Sequence, residues 1–139
     1  MPREVMRNIY RIPVPLPNNP LRELNCYLIR GKDRSLLIDT GFRQETCRRA
    51  LFDGLQELNV RMEDTDIFLT HLHSDHTGLL PEVASASSRV FIDDLDRDWI
   101  VGSTRFELER QEDARFAMAG IPPEMLRIAS QTHPGRCFA

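Results

Sequence analysis

The chain contains no C-x-x-C pair, and its three cysteines, Cys26, Cys47 and Cys137, are odd in number and far apart. That spacing supports neither a zinc ribbon nor a dithiol redox motif. Small buried thiols are the expected reading. No apolar run approaches the roughly 20 residues that span a bilayer. The first twenty residues, MPREVMRNIYRIPVPLPNNP, lack the apolar stretch of a secretory signal, so the cytoplasm is the expected compartment. Positive charge is not in excess either: the formal net charge is −3. A broad basic footprint for nucleic acid or an anionic membrane is therefore missing, and neither is an expected partner. Internal repeats and low-complexity tracts are also absent.

What is present is an ordinary globular balance. Hydrophobic residues make up 41% and charged residues 28%, which argues for a packed core rather than a disordered chain. A length of 139 residues suits one domain. NIYRIPVPLP, residues 8–17, mixes β-branched residues with proline. Proline cannot donate to a ladder, so this reads as an edge strand leading into an extended arm. LNCYLIRG (24–31) and SLLIDTG (35–41) read as a hairpin. Residues 43–58 change to a helical period, with Cys47, Leu51, Leu55 and Leu58 on one stripe. The basic group Arg43, Arg48 and Arg49 fits a solvated helix face better than an anion site.

TDIFLTH (65–71) is strand-like, TGLLPEVASAS (77–87) a short helix with Pro81 in its first turn, and RVFID (89–93) a strand. Strand, helix, strand, helix, strand over residues 35–93 predicts a layered α/β arrangement. Beyond Asp94 the chain turns charged and helix-forming, with a break near Gly102-Ser103. Two or three helices are expected there, with Gly120 as a C-cap and prolines restarting the chain at IPPEMLRIAS.

The segment FLTHLHSDHTGLL (68–80) stands apart. It places three of the four histidines and an aspartate, His71, His73, Asp75 and His76, within six positions. Charged imidazoles so close would repel, and neutral buried ones would each need a partner. A metal ion satisfies all of them together. In an extended backbone side chains alternate, so His71 and His73 point to one side and reach one point just beyond the strand's carboxyl end. Asp75 and His76, in the following turn, would aim at a second point nearby. Open α/β sheets carry their sites at such strand ends. Imidazole nitrogen with carboxylate oxygen suits zinc, and iron or manganese less specifically.

His71-Leu72-His73-Ser74-Asp75-His76 resembles the H-x-H-x-D-H signature of the metallo-β-lactamase-fold hydrolases, glyoxalase II-like members included. NCYLI, LLIDTG (36–41) and DIFLTHLHSDHTGLL resemble that superfamily's early strands, metal-bearing strand and following helix. The resemblance covers residues 24–93. It implies an α+β chain forming the first half of a four-layer αβ/βα sandwich, with a helical C-terminal stretch. It also implies two zinc ions per complete site. His71 and His73 would bind the first ion, and Asp75 and His76 the second. Asp39 would stand behind the ligands, holding or polarising one of them. The activity implied is hydrolysis by a zinc-bound hydroxide of an ester, thioester, lactone or related bond. Asp75 would take the catalytic part by aiming the attacking water.

The sequence departs from that pattern after His76. The family's later ligands include a histidine in a GHT or GHS context, an aspartate after glycine and a last histidine. No glycine-aspartate follows position 93, and the only later histidine, His133, lies in THPGR, the reverse of the family's order. We therefore expect one incomplete domain over residues 1–139, an N-terminal fragment in which residues 94–139 form a helical insertion or lid. Trp99, Phe106, Phe116 and Met118 would supply a pocket wall or, more simply, helix packing. The sheet face left uncovered would favour self-association as a homodimer. Two other readings are weighed beside the hydrolase. One is a nonenzymatic metal-binding half-domain completed by another chain. The other is an amidohydrolase barrel, which needs about 250 residues and gives no reason for Asp75-His76.

Overall fold

A computed structural model describes residues 1–101 and 114–132 of the chain. Expectations at Gly102, Ser103, Phe106, His133 and Cys137, and for the side chain of Trp99, lie outside the described residues. The chain divides into two compact units, Met1–Ile92 and Asp93–Ala139.

The first unit is an α+β structure built on one six-stranded sheet: β1 (Arg3–Met6), β2 (Ile9–Pro15), β3 (Glu23–Ile29), β4 (Ser35–Ile38), β5 (Thr65–Phe68) and β6 (Val90–Phe91). Spatial order follows chain order. β1 to β4 are antiparallel neighbours, and β4, β5 and β6 run parallel. The change occurs where a helical connection replaces a hairpin, because parallel neighbours need a crossover. That crossover is α1 (Glu45–Glu57), followed by a 3-10 turn at Met62–Asp64.

One face of the sheet makes the core. Ile12, Val14, Cys26, Leu28, Leu37 and Ile67 alternate along their strands and are buried with Cys47, Leu51 and Leu55 of α1. The helical stripe read from the sequence is the stripe that packs, with Leu58 partly buried at its end. Gly54 lets α1 lie close to the sheet: a Cβ there would sit 2.6 Å from Ile12 Cγ2. On the opposite face Arg11, Tyr27, Ile38, Phe68 and Phe91 stand in register from β2 to β6. Phe68 and Phe91 are 41% and 46% exposed.

Two expectations are corrected. β2 is not an edge strand: β1, unpredicted because its four residues are exposed and carry no alternation, pairs with it from Arg3↔Arg11 to Met6↔Ile9. Pro13 and Pro15 remain compatible because they lie beyond that pairing and face only β3. The second correction concerns the histidine segment. β5 ends at Phe68, so His71 lies in a bend and His73 is the N-cap of α2 (Ser74–Thr77) rather than a strand residue. α3 (Leu80–Val83) follows with Pro81 in its first turn, where the missing N–H costs nothing.

The second unit contains α4 (Asp94–Val101), a helical stretch at 114–118, and α5 (Pro123–Thr132). Gly120 closes the middle stretch with φ +80°, the left-handed conformation that glycine adopts without steric cost. Met118 is 88% exposed and Phe116 40%. Among the described residues no helix is long and apolar enough to cross a membrane.

Candidate metal centre

The loops leaving β4 and β5 lie side by side because those strands are parallel neighbours. Asp39 follows β4 directly, and its N–H donates to Phe68 O at 2.9 Å. Asp39 then adopts φ 59°. The left-handed region is tolerated by aspartate, whose short side chain bonds locally. Here it turns the carboxylate toward the β5 loop, where Thr70 N–H donates to Oδ1 at 2.9 Å.

The two loops are tied at further points. Thr40, fully buried, donates to His76 O through both its N–H and its hydroxyl, each at 2.8 Å. Leu79 N–H donates to Gly41 O at 3.1 Å and reaches Thr40 Oγ1 at 3.2 Å. Gly78 is pressed against the same strand end. A Cβ on it would meet Ser74 O at 2.6 Å, Arg43 N at 2.7 Å and Gly41 O at 2.8 Å. These are backbone atoms, so glycine is required for close approach rather than for a special φ.

The side chains named from the sequence come together as two pairs. His71 Nε2 lies 3.0 Å from His73 Nδ1. His76 Nε2 lies 3.6 Å from Asp75 Oδ2. The His71 and His76 ring centroids are 4.0 Å apart, so the pairs are neighbours. Asp39 Oδ2 accepts from His76 Nδ1 at 2.8 Å, on the side of the ring away from Asp75. Sequence reasoning missed Thr70 and Thr40. Thr70 Oγ1 contacts both Asp39 oxygens at 3.0 and 2.9 Å, and the Nδ1 atoms of His71 and His76 at 3.1 Å each.

The electrostatics follow from these contacts. Burial works against the charged form of Asp39, but hydrogen bonds from His76 and Thr70 outweigh it and hold the carboxyl below its usual range. Burial likewise opposes charge on His76, and the Asp39 hydrogen bond and charge overcome it, raising His76 above an ordinary histidine. His71 goes the other way: burial, then the nearby His76 and His73, push it down and favour neutral imidazole. Burial also pushes the Cys26 thiol far up, leaving it inert beside the free, buried Cys47. The basic group Arg43, Arg48 and Arg49 is paired with acidic side chains: Arg48 and Arg49 of α1 with Glu45, and Arg43, just before the helix, with Glu82.

Imidazole nitrogen and carboxylate oxygen are the donors zinc takes, and a tetrahedral ion with bonds of about 2.0–2.1 Å keeps its ligand atoms roughly 3.3 Å apart. The two pairs bracket that spacing. Among the described residues, no group of three or more His, Cys, Asp or Glu donors gathers at one point. The donors therefore fit a metal in kind and spacing, two to a point.

The family model described as "Metallo-beta-lactamase superfamily" matches residues 20–89, which span both loops. The chain belongs to this superfamily. It is 38% identical over 71 residues to "Probable metallo-hydrolase YqjP" of Bacillus subtilis, covering 50% of the chain and 21% of that protein. It is 32% identical over 116 residues to "Lactamase-like protein adaB" of Aspergillus niger, covering 76% of the chain and 35% of that protein. Among solved structures, the metallo-beta-lactamase family protein TTHA1429 from Thermus thermophilus superposes with a TM-score of 0.68 at 29% identity, over 92% of the chain and 43% of that protein. The chain thus spans about a third or less of the curated relatives it matches. Of these, the Bacillus relative is described as a probable metallo-hydrolase.

Proposed function

We propose that this chain carries the first metal-binding half of a zinc-dependent hydrolase acting on an ester, thioester, lactone or related bond. The reading rests on one observation: His71 Nε2 and His73 Nδ1 face each other at 3.0 Å while Asp75 and His76 meet beside them at 3.6 Å. His71 and His73 would hold one ion, and Asp75 and His76 a second. Bound there, a divalent ion supplies a water acidified toward neutral pH and polarises the substrate oxygen under attack.

The chain's own residues do the rest. Asp39 fixes His76 by taking the hydrogen of Nδ1, which leaves Nε2 as the donor atom. Asp75, half-buried beside that nitrogen, accepts a hydrogen bond from the attacking water and sets its direction. The two Thr40 hydrogen bonds to His76 O keep the ligand loop in register with β4. The low pKa of His71 keeps its imidazole neutral, as a ligand must be.

The test uses the full product of the reading frame that encodes this chain. Zinc per chain is counted, and hydrolysis of an ester, a thioester and a lactone is followed. Zinc retention with turnover of one class supports the reading, and an Asp75→Ala variant that hydrolyses as well as wild type contradicts it. A second reading, a half-domain that binds metal without turnover, draws on the donor count of two per point among the described residues. Retained zinc with no hydrolysis of any of the three classes would favour it.

A further inference from the structure

We propose that Thr70 is a positioning residue that decides which ring nitrogen of His71 carries hydrogen, and so turns the Nε2 lone pair of His71 toward His73. The purpose of this device rests on the metal reading, though its geometry does not.

The hydrogens can be counted. Thr70 Oγ1 lies within hydrogen-bond distance of four atoms: Asp39 Oδ1 and Oδ2, His71 Nδ1 and His76 Nδ1. A hydroxyl has one hydrogen to give and two lone pairs to receive. An ionised carboxylate only accepts, so the hydroxyl hydrogen goes to Asp39. Toward the imidazoles Thr70 can then only accept. Each Nδ1 must therefore carry a hydrogen, and in the neutral ring Nε2 then presents the lone pair.

The two histidines are not held equally. His76 Nδ1 has a second acceptor in Asp39 Oδ2 at 2.8 Å, shorter than its 3.1 Å contact to Thr70. His71 Nδ1 is held by its 3.1 Å contact with Thr70 Oγ1. Asp39 thus fixes His76 directly and reaches His71 through the threonine. The Asp39–Thr70–His71 relay carries the orienting effect of one carboxylate to the first ligand pair, and Asp39–His76 carries it to the second. His71 Nε2, so freed, is the atom 3.0 Å from His73 Nδ1.

The test compares wild type, Thr70→Ser and Thr70→Val by 15N chemical shifts of the histidine rings in the metal-stripped chain, and then by zinc titration. Valine keeps the shape of threonine and removes the hydroxyl; serine keeps the hydroxyl. Thr70 is exposed, so neither change disturbs the core. In wild type and Thr70→Ser, His71 and His76 should both show a hydrogen-bearing Nδ1. In Thr70→Val, His71 should shift toward a hydrogen-bearing Nε2 while His76 stays as it was, held by Asp39. Zinc affinity should fall by roughly tenfold or more in Thr70→Val, as expected when the partner of a ligating histidine is lost, and recover in Thr70→Ser. An unchanged His71 tautomer in Thr70→Val, or a serine variant that behaves like valine, overturns the assignment. Absence of zinc binding by wild type would instead overturn the metal reading, and the ring shifts would still decide the role of Thr70.

Discussion

Asp39 Oδ2 and His76 Nδ1 meet at 2.8 Å across the ends of two parallel strands, although 37 residues separate them in the chain. The contact joins the β4 loop to the segment that carries the other histidines. It lets Asp39 set the hydrogen position on a histidine that, in the proposed function, would hold metal.

Replacing Asp39 with asparagine keeps the shape and removes the charge and one acceptor. We expect zinc affinity to fall by about 10–100-fold, with the fold retained by circular dichroism. Unchanged affinity in a titration would show that His76 does not depend on this carboxylate.

Gly78 gives a prediction about backbone packing. A methyl group there would meet three backbone atoms at 2.6 to 2.8 Å, and none of them is a flexible side chain. Gly78→Ala should cost about 1–3 kcal/mol, read as a lower urea midpoint, because the two loops must separate to admit it. A midpoint equal to wild type would contradict the close approach.

Core and surface should separate cleanly on α1. Leu51 is fully buried, and Leu51→Ala should cost about 2–5 kcal/mol in urea unfolding. Changing Arg48, which is exposed and paired with Glu45, to alanine should leave the urea midpoint close to wild type. Equal losses would contradict the assignment of the helix faces.

Acid stability should depend on Asp66. Arg89 and Arg34 both donate to its carboxylate, holding it well below the usual range. A depressed folded-state value stabilises above the unfolded carboxyl value of about 4, and the contribution is lost as pH falls from there. Wild type should therefore lose stability as pH drops below about 4, within the unfolded carboxyl range. Asp66→Asn should start lower at neutral pH and decline less steeply, as followed by urea unfolding at several pH values. Parallel curves would contradict the pairing.

Much of this was legible in the residues, for identifiable reasons. Cys47, Leu51 and Leu55 recur at helical spacing, so α1 could be placed with its buried face. The β3–β4 pair was visible as two apolar runs across GKDR. β1 was not, because Arg3–Met6 has no apolar alternation and is recruited only by pairing with β2. The donors His71, His73, Asp75 and His76 were legible because their chemistry is crowded into six positions. How they meet was not: alternation predicted a strand, whereas a bend and the start of α2 bring His71 and His73 together. Thr70 was hidden for a related reason. Threonine in a strand-like run reads as a β-former, and its contacts with Asp39 come from the pairing of β4 with β5.

The most direct measurement of the central claim is X-ray absorption at the zinc edge on the metal-loaded chain, beside His71→Ala and Asp75→Ala variants. The account predicts nitrogen and oxygen ligands at about 2.0–2.1 Å, imidazole scattering that weakens in His71→Ala, and reduced zinc per chain in both variants. Sulfur ligands at about 2.3 Å, pointing to the cysteines, or zinc content unaffected by either substitution, would contradict it.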